Sequence, residues 1–315
     1  MDILVFEKAR ERIAPYVLET PLVQSLAFPN LYLKCENFQW TGSYKPRGAV
    51  NAALQKVKSG SGIVARSSGN FAQGIAYAGN RLGFQVTVVM PEHAPELKVK
   101  GTAALGADVV LYGTTHTEGY EKANALVKEG RGVMIHAFDD PDVIAGQGSI
   151  ALEVCDQLED FSHFFGPVGG GGMMGGCSCV LKQERPQVEV VAVEPEGAAR
   201  LTASLERGER LNLPSTKSIA DGLLSPCVGE HNWPLLKENI DTTVKVSEEE
   251  IVEAMRILFN VYGIVAEPSG AVSFAGYLKK QPLSGPVVCV ITGGNVDRQR
   301  YLEWIEAPAS SATTV

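Results

Sequence analysis

No stretch of this chain approaches the run of about 18 consecutive apolar residues that a membrane-crossing helix needs, so a membrane is not expected as a partner. A basic excess is missing too. There are 28 Lys and Arg against 36 Asp and Glu, for a formal net charge of −8. That balance weighs against nucleic acid and anionic lipid surfaces, which select for clustered positive charge. It does not exclude an anionic ligand, because converging backbone dipoles bind phosphate inside acidic proteins. Cysteine is sparse. Cys35, Cys155, Cys177, Cys179, Cys227 and Cys289 include no C-x-x-C pair of the kind that holds zinc, and they read as free thiols in a reducing compartment. The segment Met1-Asp2-Ile3-Leu4-Val5-Phe6-Glu7 has neither the basic start nor the long apolar core of a signal peptide, so a cytoplasmic location is expected. No internal repeat is evident.

What is present describes an ordinary globular protein. The 315 residues are 45% hydrophobic and 20% charged, enough for a well-buried core in two lobes. Short apolar, β-branched runs predict strands at 32–35, 63–65, 86–90, 109–112, 133–136, 163–167, 189–194 and 287–291. Longer periodic segments predict helices at 47–57, 72–82, 97–105, 117–128, 144–157 and 248–262. Continuous apolar strands alternating with helices imply an α/β fold with parallel sheets covered on both faces. The small, polar residues 308–315 are expected to be a disordered tail.

Four motifs carry candidate chemistry. Ser43-Tyr44-Lys45-Pro46-Arg47-Gly48 places a lysine in a turn before an Ala-rich helix. Ser67-Ser68-Gly69-Asn70-Phe71 follows a strand and opens a helix, where Ser and Asn are good caps and free N–H groups can hold a carboxylate. Gly169-Gly170-Gly171-Gly172-Met173 lies between an apolar strand and a helix, a setting in which backbone N–H groups converge on phosphate. No Lys-Ser/Thr follows, so it is not a Walker loop, and it is read as lacking the G-x-G-x-x-G spacing with a ribose-binding acid. Thr292-Gly293-Gly294-Asn295 comes near the end.

In order and spacing these motifs resemble the fold-type II pyridoxal-phosphate enzymes of the tryptophan synthase β type, specifically the branch of serine/threonine dehydratases and serine racemases. The resemblance runs from about Arg12 to about Trp304. It implies two lobes with parallel-rich sheets flanked by helices. Residues 1–49 and 139–307 would form a large cofactor-binding domain and 50–138 a small one. Pyridoxal 5′-phosphate would be the cofactor, a small amino acid the substrate, and a homodimer the assembly. Lys45 would be the Schiff-base lysine and then the base that takes the α-proton. Gly169, Gly170, Gly171, Gly172 and Met173 would bind the phosphate, and Asn70 the 3′-oxygen. Tyr44, Gly222 and Glu267 would lie beside the cofactor, the latter two carried by Ala220-Asp221-Gly222 and Glu267-Pro268-Ser269-Gly270. Thr292 would meet the pyridine nitrogen with a neutral hydroxyl, making a milder electron sink than an aspartate would. Ser67, Ser68, Asn70 and Phe71 would contact substrate, with Ser68 at the racemases' second acid–base position. The implied reaction is dehydration and deamination of L-serine, L-threonine or a bulkier β-hydroxy amino acid such as phenylserine. The alternative is racemisation.

Two departures refine that expectation. Relatives mostly carry His where this chain has Phe71, and Trp40 stands in the loop before Lys45. Two apolar rings point to a larger, apolar β-substituent, and Phe71 supplies no cation for a second carboxylate. Metal-stimulated relatives use oxygen ligands at the positions of Glu194, Ala198 and Arg200. A guanidinium cannot ligate a cation. Arg200 is therefore expected to pair with Glu194 in place of an ion, with no metal bound.

Overall fold

A computed structural model of the chain describes residues 1–306. Among these residues the strands are β1 (Leu22–Gln24), β2 (Leu31–Cys35), β3 (Ile63–Arg66), β4 (Val86–Met90), β5 (Asp108–Leu111), β6 (Val133–Met134), β7 (His163–Pro167), β8 (Glu189–Pro195), β9 (Thr242–Val246) and β10 (Val287–Ile291). The helices are α1 (Ile3–Ile13), α2 (Lys45–Lys56), α3 (Asn70–Leu82), α4 (Glu96–Ala104), α5 (His116–Lys128), α6 (Pro141–Gln157), α7 (Gly172–Glu184), α8 (Arg200–Arg207), α9 (Asn232–Asn239), α10 (Glu248–Tyr262), α11 (Pro268–Lys279) and α12 (Arg298–Glu306).

The strands form a six-stranded sheet in the order β1-β2-β10-β7-β8-β9 and a four-stranded sheet in the order β5-β4-β3-β6. Only the β1–β2 pairing is antiparallel. Every residue of β4, β7 and β10 is buried, which is why those strands read as unbroken apolar runs. Alternate residues feed opposite faces of the larger sheet. Phe164, Val190, Ala192, Val288 and Val290 join the α1, α6 and α7 side. Leu33, Phe165, Val191, Val193 and Cys289 join the α10 and α11 side. The smaller sheet packs Ile63, Ala65, Val88 and Met90 against α2 and α3.

Helices α2 and α6 cross at close range because a Cβ on Gly48 would stand 2.7 Å from the Val143 carbonyl oxygen, and one on Gly146 would run into that of Arg47. A fully buried charge cluster locks this crossing to β2. Arg47 Nε donates to Glu36 Oε2 at 2.8 Å, Arg47 Nη1 to Glu153 Oε1 at 2.5 Å, and Lys34 Nζ to Glu153 Oε2 at 2.6 Å. Lys45 stands two residues before this anchor. It begins α2 rather than sitting in a turn, since Pro46 at the helix start presets the backbone angle a first turn needs.

Each predicted strand and helix is present; β4, β7, β10 and α10 have the predicted ends, and the others are shifted. The largest strand difference is β6, which stops at Met134 rather than 136. The short and partly exposed β1 and β9 were not predicted, nor were α1, α8, α9, α11 and α12. The expected disordered tail, 308–315, lies outside the described residues. All six cysteines are free, five of them buried.

Candidate active site

The three chain segments that leave β3, β7 and β10 at their C-terminal ends all open onto one cleft, the usual ligand position for parallel sheets. The cleft has a volume of about 440 Å³ and is lined by Tyr44, Lys45, Ser67, Ser68, Asn70, Phe71, Gly169 to Gly172, Met173, Gly222, Glu267 and Thr292, all named above as site candidates.

Half-buried Lys45 has Nζ 4.5 Å from the centroid of the Tyr44 ring. Helix α3 fixes its backbone, because a Cβ on Gly74 would stand 2.9 Å from Lys45 Cβ. Tyr44 N–H donates to the Thr292 carbonyl at 3.2 Å, and Ser43 bridges to Gly293, so the lysine loop is stitched to the end of β10.

The glycine loop packs too closely against its neighbours to carry side chains. A Cβ on Gly170 would collide with the Phe138 ring, and one on Gly172 would lie 2.8 Å from the Phe138 carbonyl oxygen. Gly171 has φ +94°, a conformation that L side chains rarely adopt, and it caps α7 with no side-chain hydrogen bond. Asn232 Nδ2 clamps the loop, donating to the carbonyls of Phe138 (2.9 Å) and Gly170 (3.1 Å). The start of α3 is likewise free of side-chain capping. Gly69 is its N-cap, and Ser67 Oγ instead accepts the Gly69 N–H at 3.3 Å. This corrects the expectation that Ser or Asn caps the helix. Two uncapped helix starts thus face one cleft, each with a partial positive charge.

The expectation that the loop lacks G-x-G-x-x-G spacing is corrected: Gly170, Gly172 and Gly175 have it, and Glu194 lies about 20 residues further on, where a ribose-binding acid would stand. The structure nevertheless keeps that acid from acting on a ribose in the cleft. Glu194 is buried away from the cleft, accepting from Leu201 N–H, Thr202 N–H and the Thr202 hydroxyl, each at 2.8 Å. Buried Arg200 lies beside it, Nε 3.8 Å from Glu194 Oε1, and donates to the carbonyls of Val168 (2.8 Å) and Ala198. Burial pushes the Glu194 carboxyl up and the Arg200 guanidinium down, each opposed by the other's charge. The guanidinium therefore meets two of the three oxygen positions a cation would use.

Asn70 is held at both ends of its amide. Nδ2 donates to Glu267 Oε1, and Oδ1 accepts from Asn295 Nδ2 at 2.9 Å. Glu267 is 4% exposed, and its carboxyl is pushed up to about 7, first by burial and then by the charge of Asp221. Thr292 is buried, with its hydroxyl 3.4 Å from the Ser269 carbonyl, and Ser269 Oγ accepts the Gly222 N–H at 2.9 Å.

The two aromatic residues of the sequence reading lie in different surroundings. Phe71 borders the cleft, but the residue is only 2% exposed and belongs to the apolar core under the smaller sheet with Val50 and Ile75. Trp40 is 59% exposed and does not line the cleft. The cleft instead holds polar groups that sequence reasoning missed. Arg66, the last residue of β3, puts Nη1 2.8 Å from His116 Nδ1, and its guanidinium lies 5.8 Å from the Tyr120 ring centroid. The Tyr120 oxygen is 2.7 Å from His136 Nε2, with the two rings stacked. Burial raises the Tyr120 hydroxyl to about 12 and lowers His136. A charge ending the apolar run Ile63-Val64-Ala65 was the available signal. His116 and Tyr120, four apart, share one face of α5.

A half-buried lysine, a glycine cradle and uncapped helix starts at the ends of parallel strands define a two-sheet α/β enzyme built around an anionic cofactor. The chain belongs to the family of pyridoxal-phosphate dependent enzymes, whose model matches residues 13–293. It is 37% identical over 302 residues to an L-threonine ammonia-lyase of Geobacter sulfurreducens, covering 93% of this chain and 75% of that one. It is 38% identical over 315 residues to an L-threo-3-hydroxyaspartate ammonia-lyase of Saccharomyces cerevisiae, covering 97% and 96%. The crystal structure of a T.th. threonine deaminase superposes with TM-score 0.91 at 40% identity, covering 94% of this chain and 99% of that one. The site fits the cofactor. The glycine loop opens α7 with no side chain capping it, the lysine supplies an amine, and Thr292 supplies a neutral hydroxyl, all on one cleft. The described residues contain no helix long and apolar enough to cross a membrane.

Proposed function

We propose that this chain is an ammonia-lyase acting on a β-hydroxy-α-amino acid. The substrate loses its α-proton and β-hydroxyl as water. The resulting enamine takes water back as it releases ammonia, leaving a 2-oxo acid. Pyridoxal phosphate, when bound, supplies the electron sink for negative charge developing at the α-carbon.

The observation that carries this reading is the meeting of Lys45 with two uncapped helix starts in one cleft. Lys45 is assigned to hold the cofactor through its amine and, once freed, to take the α-proton. The N–H groups of Gly169 to Gly172 and Met173 are assigned to the phosphate. Ser67, Ser68 and the first turn of α3 are assigned to the substrate carboxylate, and Ser68 to proton transfer on the face opposite Lys45. Asn70, held by Glu267 and Asn295, is assigned to the ring oxygen, and Thr292 to the ring nitrogen. Tyr44, Gly222 and Glu267 wall the cofactor. We read residues 50–138 as a small domain and 1–49 with 139–307 as the large one, in a cytoplasmic homodimer.

The test is direct. Purified protein given pyridoxal phosphate should show a visible absorbance band that Lys45→Ala removes, and should release 2-oxo acid and ammonia from β-hydroxy amino acids. Chiral analysis of the unreacted substrate separates this reaction from racemisation. A racemic remainder without oxo acid would reject the lyase reading.

A further inference from the structure

The charges that line the cleft are nearly all spoken for. Asp139 accepts backbone N–H groups of Glu230 (2.9 Å) and His231 (2.8 Å). Asp221 pairs with Lys98, Glu230 with Arg210 at 3.0 Å, and Glu267 takes Asn70. Of the cations, Arg210 is thereby used and Lys45 is assigned to the cofactor.

Arg66 is the exception. Among the described residues it meets no carboxylate. Its Nε is buried with no hydrogen-bond partner, a costly state for a charged donor. The stem packs where Gly119 carries no side chain, since a Cβ there would stand 2.9 Å from Nε.

Its neighbours are donors as well. Arginine can only donate, so His116 Nδ1 accepts and the neutral ring carries its proton on Nε2. His136 Nδ1 accepts the Asp139 N–H at 2.9 Å, so His136 donates from Nε2 to Tyr120 and leaves the Tyr120 O–H free to donate elsewhere. This wall begins at the residue before Ser67, where the assigned carboxylate site starts. It offers hydrogens and no unused acceptor. A methyl, a hydroxymethyl or a phenyl group would leave those donors unsatisfied. An acceptor-only anion satisfies them, and the planar guanidinium fork matches a carboxylate.

We propose that Arg66, with His116 and Tyr120, binds a second carboxylate on the substrate's β-carbon, so that the preferred substrates are 2-amino-3-hydroxy dicarboxylic acids of the 3-hydroxyaspartate class. This rests on the ammonia-lyase reading. It replaces the expectation of an apolar pocket drawn from Phe71 and Trp40.

The experiment compares kcat/KM of the holoenzyme for the 3-hydroxyaspartate stereoisomers with that for L-threonine, in wild type and in Arg66→Gln, which keeps most of the stem and removes the charge. The expected result is a wild-type preference for one hydroxyaspartate isomer that falls roughly 100-fold or more in the variant, the scale for truncating one partner of a desolvated charge pair. A wild type that prefers threonine, or an unchanged ratio in Arg66→Gln, overturns the proposal. A second readout does not need turnover. Succinate, a non-reacting dicarboxylate of the same chain length, should raise the Tm of wild-type holoenzyme more than butyrate does, and Arg66→Gln should abolish the difference. If no amino acid is deaminated, the ammonia-lyase reading fails, and the succinate comparison still decides the subsite. An Arg66-dependent difference supports it, and equal shifts overturn it.

Discussion

Asn70 and Glu267 are 197 residues apart in sequence and joined by a hydrogen bond, the Asn70 amide donating to a carboxyl that is almost fully buried. The bond ties the start of α3, beside the smaller sheet, to the start of α11, under the larger one. Asn295 completes the arrangement by donating to Asn70 Oδ1 and to the Thr41 carbonyl at 2.7 Å. The Asn70 amide is thus oriented by Glu267 and Asn295, with Thr41 holding Asn295 in turn.

Glu267 makes the cofactor-free protein pH-sensitive. Its carboxyl is raised from 4.5 to about 7 in the folded state, so the folded chain holds this proton more tightly than the unfolded chain. The stability that this contributes is full below pH 4.5 and is lost as pH rises through about 7. A shift of that size corresponds to roughly 3 kcal/mol at most. Urea unfolding at pH 5 and pH 8 should show Glu267→Gln losing less stability than wild type over that interval. Parallel pH profiles would count against a buried, proton-holding carboxyl.

The cluster around Arg47 should be intolerant of truncation. Arg47→Met leaves Glu36 and Glu153 buried with their guanidinium partner gone, and Lys34 neutralises only one of them. A loss of about 3–5 kcal/mol is expected from stranding buried charge. Equilibrium denaturation measures it, and a loss below about 1 kcal/mol, the scale of an exposed pair, would show that the cluster relaxes or hydrates.

Gly170→Ala should weaken the cofactor site. The new methyl would meet the Phe138 ring and push the loop out of line with the start of α7. Titration of the variant with pyridoxal phosphate, followed by absorbance, should give a weaker Kd than wild type. Equal affinity would mean the loop's exact path is not what holds the phosphate.

Arg200 should make the enzyme indifferent to divalent cations. Its guanidinium meets the Ala198 carbonyl and lies 3.8 Å from Glu194. Neither Mg²⁺ nor a chelator should change Tm or turnover. A chelator that abolished activity would place a required metal in the protein.

Much of this protein was legible before folding, for identifiable reasons. Strands β4, β7 and β10 are buried on both faces, so their apolar runs are unmistakable. The ends of α10 were plain because Ser247 and Glu250 form a capping box and Gly263 ends the helix with φ +64°. Strands β1 and β9 were hidden because each is an edge strand that buries little of itself, leaving no alternation to read. Among site residues, Lys45, Asn70, Gly169 to Gly172 and Thr292 stand in distinctive local motifs. His116, Tyr120 and His136 do not, and only the strand order β5-β4-β3-β6 and the packing of α5 against β3 bring them beside Arg66.

The α/β class, the family and the cofactor could be read from the sequence, because each depends on local chemistry: a lysine at a helix start, glycines whose backbone N–H groups can converge on an anion, apolar runs between helices. Only packing between distant segments settles which side chains line the cleft. Phe71 is apolar enough for either a pocket wall or a core, and packing under the smaller sheet sent it to the core. Arg66 is one surface-like charge in the sequence. It becomes an unpaired cation in a ligand cleft only because the fold surrounds it with other donors and supplies no acid.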